Sequence, residues 1–272
     1  METLSHALSL LLPVLYTLLV IAYARNFLKR RTSLLARRAR TLLGGTITLH
    51  AAAVVLRGIQ VGQCPVGSVG EAFAVVALTI ALIYWLLEGF TGDQSTGLFI
   101  VSAVLPLELL ATLSVADATA PPAAPMGSVV SIHAFAALVG LSAIAVAAAY
   151  GLLYLSLYAC IKRGRFGLFF SLVAPLEDLS QLNSLAARIA LIALTVSIGV
   201  GFWSAWAHGF AAFARDPQVI LSLVLWGLYA GCVIGGTRFQ FGAKRVAYCT
   251  VLGLPIVVVI GFVSWAQRGF HG

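Results

Sequence analysis

The sequence predicts an all-α protein, a polytopic bundle of about eight transmembrane helices with both termini on the outer side of the membrane. Hydrophobic residues make up 61% of the 272 residues and charged residues only 10%, whereas a soluble domain is about half apolar and a quarter charged. The apolar residues form runs close to the roughly 20 residues that one helix needs to cross a bilayer. The Lys and Arg residues cluster beside these runs in alternate loops, as in multi-pass proteins.

The eight predicted spans follow one another with short connections, so we expect one integral membrane domain over residues 1–272. The first apolar run lacks a basic stretch before it and a small-residue cleavage site after it, so we expect a retained helix and not a signal peptide. The fifth span is the longest and is expected to extend beyond the hydrocarbon on the inner side. The spans are placed at residues 4–24, 41–59, 70–90, 97–115, 128–160, 186–207, 218–236 and 246–266.

The basic residues set the expected orientation. Fourteen of the 17 Lys and Arg residues follow spans 1, 5 and 7, and such clusters stay on the cytoplasmic side of a membrane. The net charge of +8 therefore reflects topology, and we expect no nucleic-acid partner. One span more or fewer would break this agreement. We expect a multi-pass protein in the lipid bilayer of a bacterial inner (plasma) membrane.

A leucine repeat precedes span 6. Leu176, Leu179 and Leu182 recur at a spacing of three among polar residues. The pattern predicts a helix lying flat on the inner surface of the membrane.

The five histidines are the residues most indicative of chemistry. His6, His133, His208 and His271 fall at the outer ends of spans 1, 5, 6 and 8, and His50 lies halfway along span 2. A single interfacial histidine is usually an amphipathic side chain at the headgroups, but four on one side favour ligand binding there. Imidazole is a common haem ligand, and an ionisable residue inside a span is a functional candidate.

Two further ionisable side chains accompany His50. Glu108 in span 4 is expected either to accept the His50 ring N–H and so orient it, or only to pack helices as a protonated or hydrogen-bonded side chain. Arg57 lies two helical turns after His50 on the same face. It either pairs with a haem propionate or extends its side chain to the membrane interface.

An aromatic stretch closes span 6. Trp203 and Trp206 precede His208, and Arg215 and Asp216 follow. Aromatic residues at the end of a span usually form an interfacial belt. Here their flat apolar rings accompany a histidine and a cation, which are suitable parts for holding the edge of a porphyrin.

Together these motifs resemble the CcsA/CcmC/HemX superfamily of cytochrome c assembly proteins, in particular its short eight-span HemX/YpjD-like members. The stretch from His50 to Arg57 resembles the family's early His-x6-Arg. Pro65 to Glu71 resembles its Pro-x-Ser-Asn-x-Tyr-Glu segment, with the glutamate kept and the Asn and Tyr lost. Trp203 to Pro217 resembles a worn Trp-rich loop ending in Asp-Pro. Further similar segments are Ser131 to His133, Ala174 to Leu179, Trp226 to Tyr229, Phe241 to Tyr248, and His271.

The resemblance implies haem b as bound cargo, held at the outer (periplasmic) face. Haem would be passed to a partner, either an apocytochrome c or another membrane subunit of an assembly complex. The resemblance carries the role of axial ligand onto His133 and His271, and the role of haem platform onto Trp203, Trp206 and Asp216. The candidate haem-binding residues are His133, His271, His50, His208, Trp203, Trp206, Asp216 and Arg57, with His133 and His271 as ligands to the iron.

Two departures from the haem-lyase members shape the expected function. Ile234 stands where those members have a membrane histidine in the seventh span, and Arg215 replaces the Trp before Asp216. We therefore expect a haem-handling accessory protein of cytochrome c biogenesis, and at most part of a haem lyase. The alternatives are a HemX-like regulator of haem synthesis, a small-solute transporter, and a membrane scaffold without a ligand. A transporter often carries an internal repeat, and none is visible.

Overall fold

A computed structural model describes residues 2–29, 34–116, 127–208 and 216–270, and it contains no strand within those ranges. Eight of its helices are long and apolar enough to cross a membrane, which confirms the predicted all-α fold and the number of spans. The helices are α1 (Glu2–Lys29), α2 (Leu34–Val61), α3 (Val69–Thr91), α4 (Gly97–Ala116), α5 (Ser128–Lys162), α6 (Leu168–Leu172), α7 (Leu176–His208), α8 (Pro217–Arg238) and α9 (Ala243–Phe270).

Every predicted span lies inside one of these helices, and most helices continue past the predicted ends. Hydropathy marks only the part of a helix that the hydrocarbon covers, whereas Arg, Lys and Leu prolong a helix into the interface. The fifth span shows this best. Helix α5 has 35 residues and is about 52 Å long at 1.5 Å per residue, against a hydrocarbon thickness of about 30 Å.

The prediction of a separate surface helix before span 6 is wrong. Helix α7 runs without a break from Leu176 to His208, because no proline follows Pro175 until the helix has ended. Leu179 and Leu182 are buried, so the leucine repeat packs inside the protein and does not form a lipid-facing stripe. The short separate helix is α6, which we did not predict.

The helices group into two compact units, Met1–Ser131 with Leu157–Asp178, and Ile132–Ser156 with Leu179–Gly272. In the first unit, α3 packs against α4, and α1 contacts both α2 and α4. In the second unit, α8 packs against α9. The interpretation of residues 1–272 as one membrane domain stays a prediction.

Glycines allow close helix approach in the second unit. A Cβ at Gly253 of α9 would lie 2.7 Å from the Tyr229 ring of α8, and one at Gly151 of α5 would lie 2.7 Å from the Thr250 hydroxyl of α9. Lipid tails are as apolar as leucine, so helices in a bilayer associate through such close packing.

Candidate functional site

Three polar side chains meet in the interior of the first unit. The Tyr16 hydroxyl of α1 lies 3.0 Å from Nδ1 of His50 on α2, and Oε2 of Glu108 on α4 lies 3.3 Å from Nε2 of the same ring. His50 is 1% exposed and Glu108 is 2% exposed. The structure therefore places His50 and Glu108 within ion-pair distance and adds Tyr16 to the group; whether Glu108 orients the ring stays a prediction.

Both ring nitrogens of His50 face a polar partner. When the neutral ring carries its proton on Nε2, the Tyr16 O–H donates to Nδ1 and the Nε2–H is directed toward Glu108. The Nε2 to Oε2 pair is within ion-pair distance but lacks hydrogen-bond geometry. The group joins three helices through polar atoms in a medium that offers them no water. Ligation of iron by His50 would require Tyr16 or Glu108 to move.

Arg57 lies toward the end of α2 and forms an ion pair that we did not predict. Its Nε lies 2.9 Å from Oε1 of Glu71 at the start of α3, and the two side chains are 37% and 6% exposed. The other oxygen of Glu71 accepts the backbone N–H groups of Gly67 and Ser68. Arg57 thereby fastens the end of α2 to the start of α3.

The Glu71 carboxylate also belongs to a capping box. The Ser68 side chain accepts the Glu71 backbone N–H, and the Glu71 side chain accepts the Ser68 N–H. The Ser-x-x-Glu spacing at the start of an apolar run is the sequence signature of this motif. That signal could have identified the structural role of the Pro65 to Glu71 segment.

His133, near the start of α5, is held by α7. Its Nδ1 lies 2.7 Å from the backbone carbonyl oxygen of Ser197, and the Ser197 hydroxyl donates to the His133 carbonyl at 3.2 Å. A carbonyl can only accept, so Nδ1 carries a proton and Nε2 of the neutral ring keeps its lone pair. Nε2 has no partner among the residues that the structure describes. Histidines that bind a metal usually donate their other ring N–H to a carbonyl, a carboxylate or a water, and the His133 contact has this form.

Trp203 and Trp206 lie on the exposed side of α7, at 77% and 83% exposure. They follow Ser197 by six and nine residues, which places them about 240° and 180° around the helix from it at 100° per residue. The structure thus puts these rings on the side of α7 away from the His133 contact.

Asp216 is the N-cap of α8. Its side chain accepts the Gln218 backbone N–H at 2.8 Å, and Pro217 occupies the first turn. Asp at the N-cap with Pro next to it is a favoured way to begin a helix. The Asp-Pro ending of the aromatic stretch therefore has a local structural role.

Two candidate haem-binding histidines lie beyond what the structure shows. Helix α7 ends at His208, whose side chain is outside the described part of the chain, and His271 lies wholly outside it. The roles expected for both stay predictions.

Two of the contacts above involve residues that the sequence did not single out. Tyr16 and Ser197 are ordinary residues within their spans, and only helix packing shows their partners. A third residue that we did not single out could have been found from the sequence. Glu88 of α3 is buried and accepts a hydrogen bond of 2.6 Å from the Tyr23 hydroxyl of α1. It is an ionisable residue inside a span, which is the criterion that drew attention to Glu108.

The family model described as "Cytochrome C assembly protein" matches residues 66–271. The matched region includes His133, Trp203, Trp206 and Asp216, whereas His50 and Arg57 precede it. No curated protein matches the chain.

Proposed function

Because this chain belongs to the cytochrome c assembly protein family, we propose that it binds haem through His133 and holds or delivers it for cytochrome c biogenesis. Family membership and eight apolar helices support a multi-pass membrane protein with a role in cytochrome c biogenesis. The proposal that His133 binds haem rests on the hydrogen bond between His133 Nδ1 and the Ser197 carbonyl.

The geometry at His133 fits an axial ligand to haem. Iron takes the lone pair of a neutral imidazole nitrogen, and the other nitrogen usually donates to a carbonyl or carboxylate. His133 has that arrangement, with Nε2 as the nitrogen available to the metal. Bound haem would supply an iron centre whose axial positions accept such nitrogens. We propose His271 as the second ligand, on the basis of the family resemblance.

The other candidate residues have different roles in the proposed haem binding. Trp203 and Trp206 offer flat, exposed surfaces on α7 but are not direct neighbours of His133. They hold a haem edge only if the haem or a partner protein reaches that face, and otherwise they anchor the helix end at the interface. Arg57 is engaged by Glu71, and the ion pair competes with a propionate for its guanidinium. We propose that haem is held on the periplasmic side of a bacterial inner membrane, and that an apocytochrome c or an assembly subunit receives it.

The buried group of His50, Tyr16 and Glu108 favours a second candidate. Ionisable residues inside a membrane mark proton or substrate pathways in carriers. A small-solute transporter driven by protons would use such a group. This candidate predicts that uptake into proteoliposomes depends on Glu108 and is indifferent to His133. A HemX-like regulator of haem synthesis, by contrast, would use the same haem site as the main proposal.

The test is the absorption spectrum of protein purified in detergent from cells supplied with haem. We expect a Soret band in the wild type, a strongly reduced band in His133→Ala, and a wild-type band in the control His6→Ala, which removes another histidine at the outer end of a span. A wild-type protein without haem, or a spectrum unchanged in His133→Ala, would contradict the proposal.

A further inference from the structure

A polar cavity of about 210 Å³ lies in the second unit among α7, α8 and the start of α9. One water needs only about 10–15 Å³, so the cavity has room for a larger polar group. Ser180, Ser184 and Arg188 of α7 line it, with Thr237 of α8 and Phe241 of the following loop.

The donors in the cavity are arranged along one face of α7. Ser180, Ser184 and Arg188 are spaced four residues apart, so they lie one above another. None of these three side chains has a hydrogen-bond or ion-pair partner among the described residues. Many other hydroxyls on the helices, such as those of Ser222 and Thr237, donate to a carbonyl of their own helix. The three side chains thus present unused donors to the cavity.

The charge around the cavity is positive. Among the residues that the structure describes, Arg188 is the only charged one that lines it. The nearest acids along α7, Asp178 and Glu177, come two and three residues before Ser180, and neither is part of the lining. The guanidinium of Arg245 lies 5.7 Å from the ring centroid of Phe241, which lines the cavity, so a second cation lies next to the apolar wall that Phe241 forms. Such a site attracts an anion with several acceptor oxygens.

The position of Arg188 along α7, relative to the membrane, indicates which class of anion the cavity binds. Helix α7 has 33 residues, about 50 Å at 1.5 Å per residue, which exceeds the hydrocarbon thickness of about 30 Å. Counting about 20 residues back from Trp206 puts the inner edge of the hydrocarbon near Arg188. Ser180 and Ser184 then lie at the level of the lipid headgroups. Basic pockets between helices on the cytoplasmic side suit acidic headgroups.

We propose that this cavity binds the phosphate group of an anionic phospholipid of the cytoplasmic leaflet. Arg188 pairs with the phosphate, the two serine hydroxyls donate to its remaining oxygens, and the apolar wall at Phe241 meets the glycerol and acyl part. A free phosphate has the same oxygens but no acyl chains for that wall. The inference is independent of haem binding.

The experiment measures phosphatidylglycerol binding to the full chain in detergent by native mass spectrometry. Wild type is compared with Arg188→Gln, Arg188→Lys and Ser184→Ala. The matched control is Arg165→Gln, an exposed arginine in the loop between α5 and α6. Phosphatidylcholine tests the need for net charge, and inorganic phosphate is added as a competitor. Size-exclusion profiles and circular dichroism confirm that each variant is folded.

We expect Arg188→Gln to weaken phosphatidylglycerol binding about tenfold, equivalent to about 1.4 kcal/mol. Arg188→Lys should lose less because it keeps the charge but not the planar fork, and Arg165→Gln should bind like the wild type. Equal affinities in wild type and Arg188→Gln, an equal loss in Arg165→Gln, or equal binding of phosphatidylcholine would overturn the proposal. Arg188-dependent binding of inorganic phosphate that is as tight as that of phosphatidylglycerol would overturn the assignment to a lipid.

Discussion

Replacing Tyr16 by Phe tests the buried group of the first unit with one atom removed. The phenyl ring keeps the edge-on packing against the His50 ring, whose centroid lies 5.8 Å away. Only the hydroxyl at 3.0 Å from His50 Nδ1 is lost. Because His50 is 1% exposed, no water can replace that hydroxyl without repacking.

The expected loss of stability follows from two bounds. Leaving a buried acceptor unsatisfied costs about 1–3 kcal/mol in soluble proteins. Hydrogen bonds between helices in a bilayer average about 0.6 kcal/mol and reach about 1.7 kcal/mol. We expect the upper part of the bilayer range, about 1–1.7 kcal/mol, because Nδ1 has no alternative partner among the described residues.

The assay is reversible unfolding of the protein in mixed micelles by a denaturing detergent, which gives the free energy of unfolding. Tyr248→Phe is the matched control, since Tyr248 is exposed and should change that energy by no more than about 0.5 kcal/mol. A second pair compares His50→Leu with the double variant Tyr16→Phe/His50→Leu. With the imidazole gone, loss of the hydroxyl should have little effect. An unchanged stability in Tyr16→Phe, or an equal effect in both backgrounds, would refute the reasoning.

Three further predictions follow from other contacts. Glu71→Ala should lower the free energy of unfolding by about 1–2 kcal/mol because it removes a capping box. Arg57→Gln, at a partly exposed ion pair, should lower it by no more than about 1 kcal/mol. Equal decreases for the two variants in denaturation would contradict this prediction. Gly253→Ala should lower the free energy of unfolding by about 1–3 kcal/mol because the added methyl group overlaps the Tyr229 ring. Gly261→Ala should leave it unchanged, since nothing lies near its Cβ. An unchanged stability in Gly253→Ala would show that the helices separate freely. Burial, with a smaller contribution from the Glu71 charge, raises the pKa of the Cys64 thiol above its ordinary value. Both causes disfavour the thiolate, so alkylation of Cys64 should rise at a higher pH than that of a free cysteine, and a pH profile unshifted from free cysteine would be the contrary result.

The sequence predicts the eight spans because their cause is local. A helix that crosses a bilayer must satisfy its backbone internally and cover its length with apolar residues, and both requirements are visible in a short window. The prediction of a surface helix was wrong because the spacing of Leu176 and Leu179 does not distinguish a helix face buried in protein from one that faces lipid.

The candidate site could be predicted only in part. The contact between His50 and Glu108 followed from the cost of placing ionisable groups in hydrocarbon. Its third member, Tyr16, is 34 residues away from His50 in sequence, and only the rotation and packing of α1 bring it near. The same holds for Ser197, whose contribution at 2.7 Å is a backbone carbonyl that every residue possesses.

The central claim is that His133 supplies its Nε2 to haem iron. The most direct test is chemical rescue of His133→Gly, a variant that removes the ring and leaves space for exogenous imidazole. We expect the purified variant to lack most of the wild-type Soret band and to regain a band at the wild-type position when imidazole and haem are added. The control His6→Gly should show neither loss nor response. Haem binding in His133→Gly that is complete without imidazole would contradict the claim.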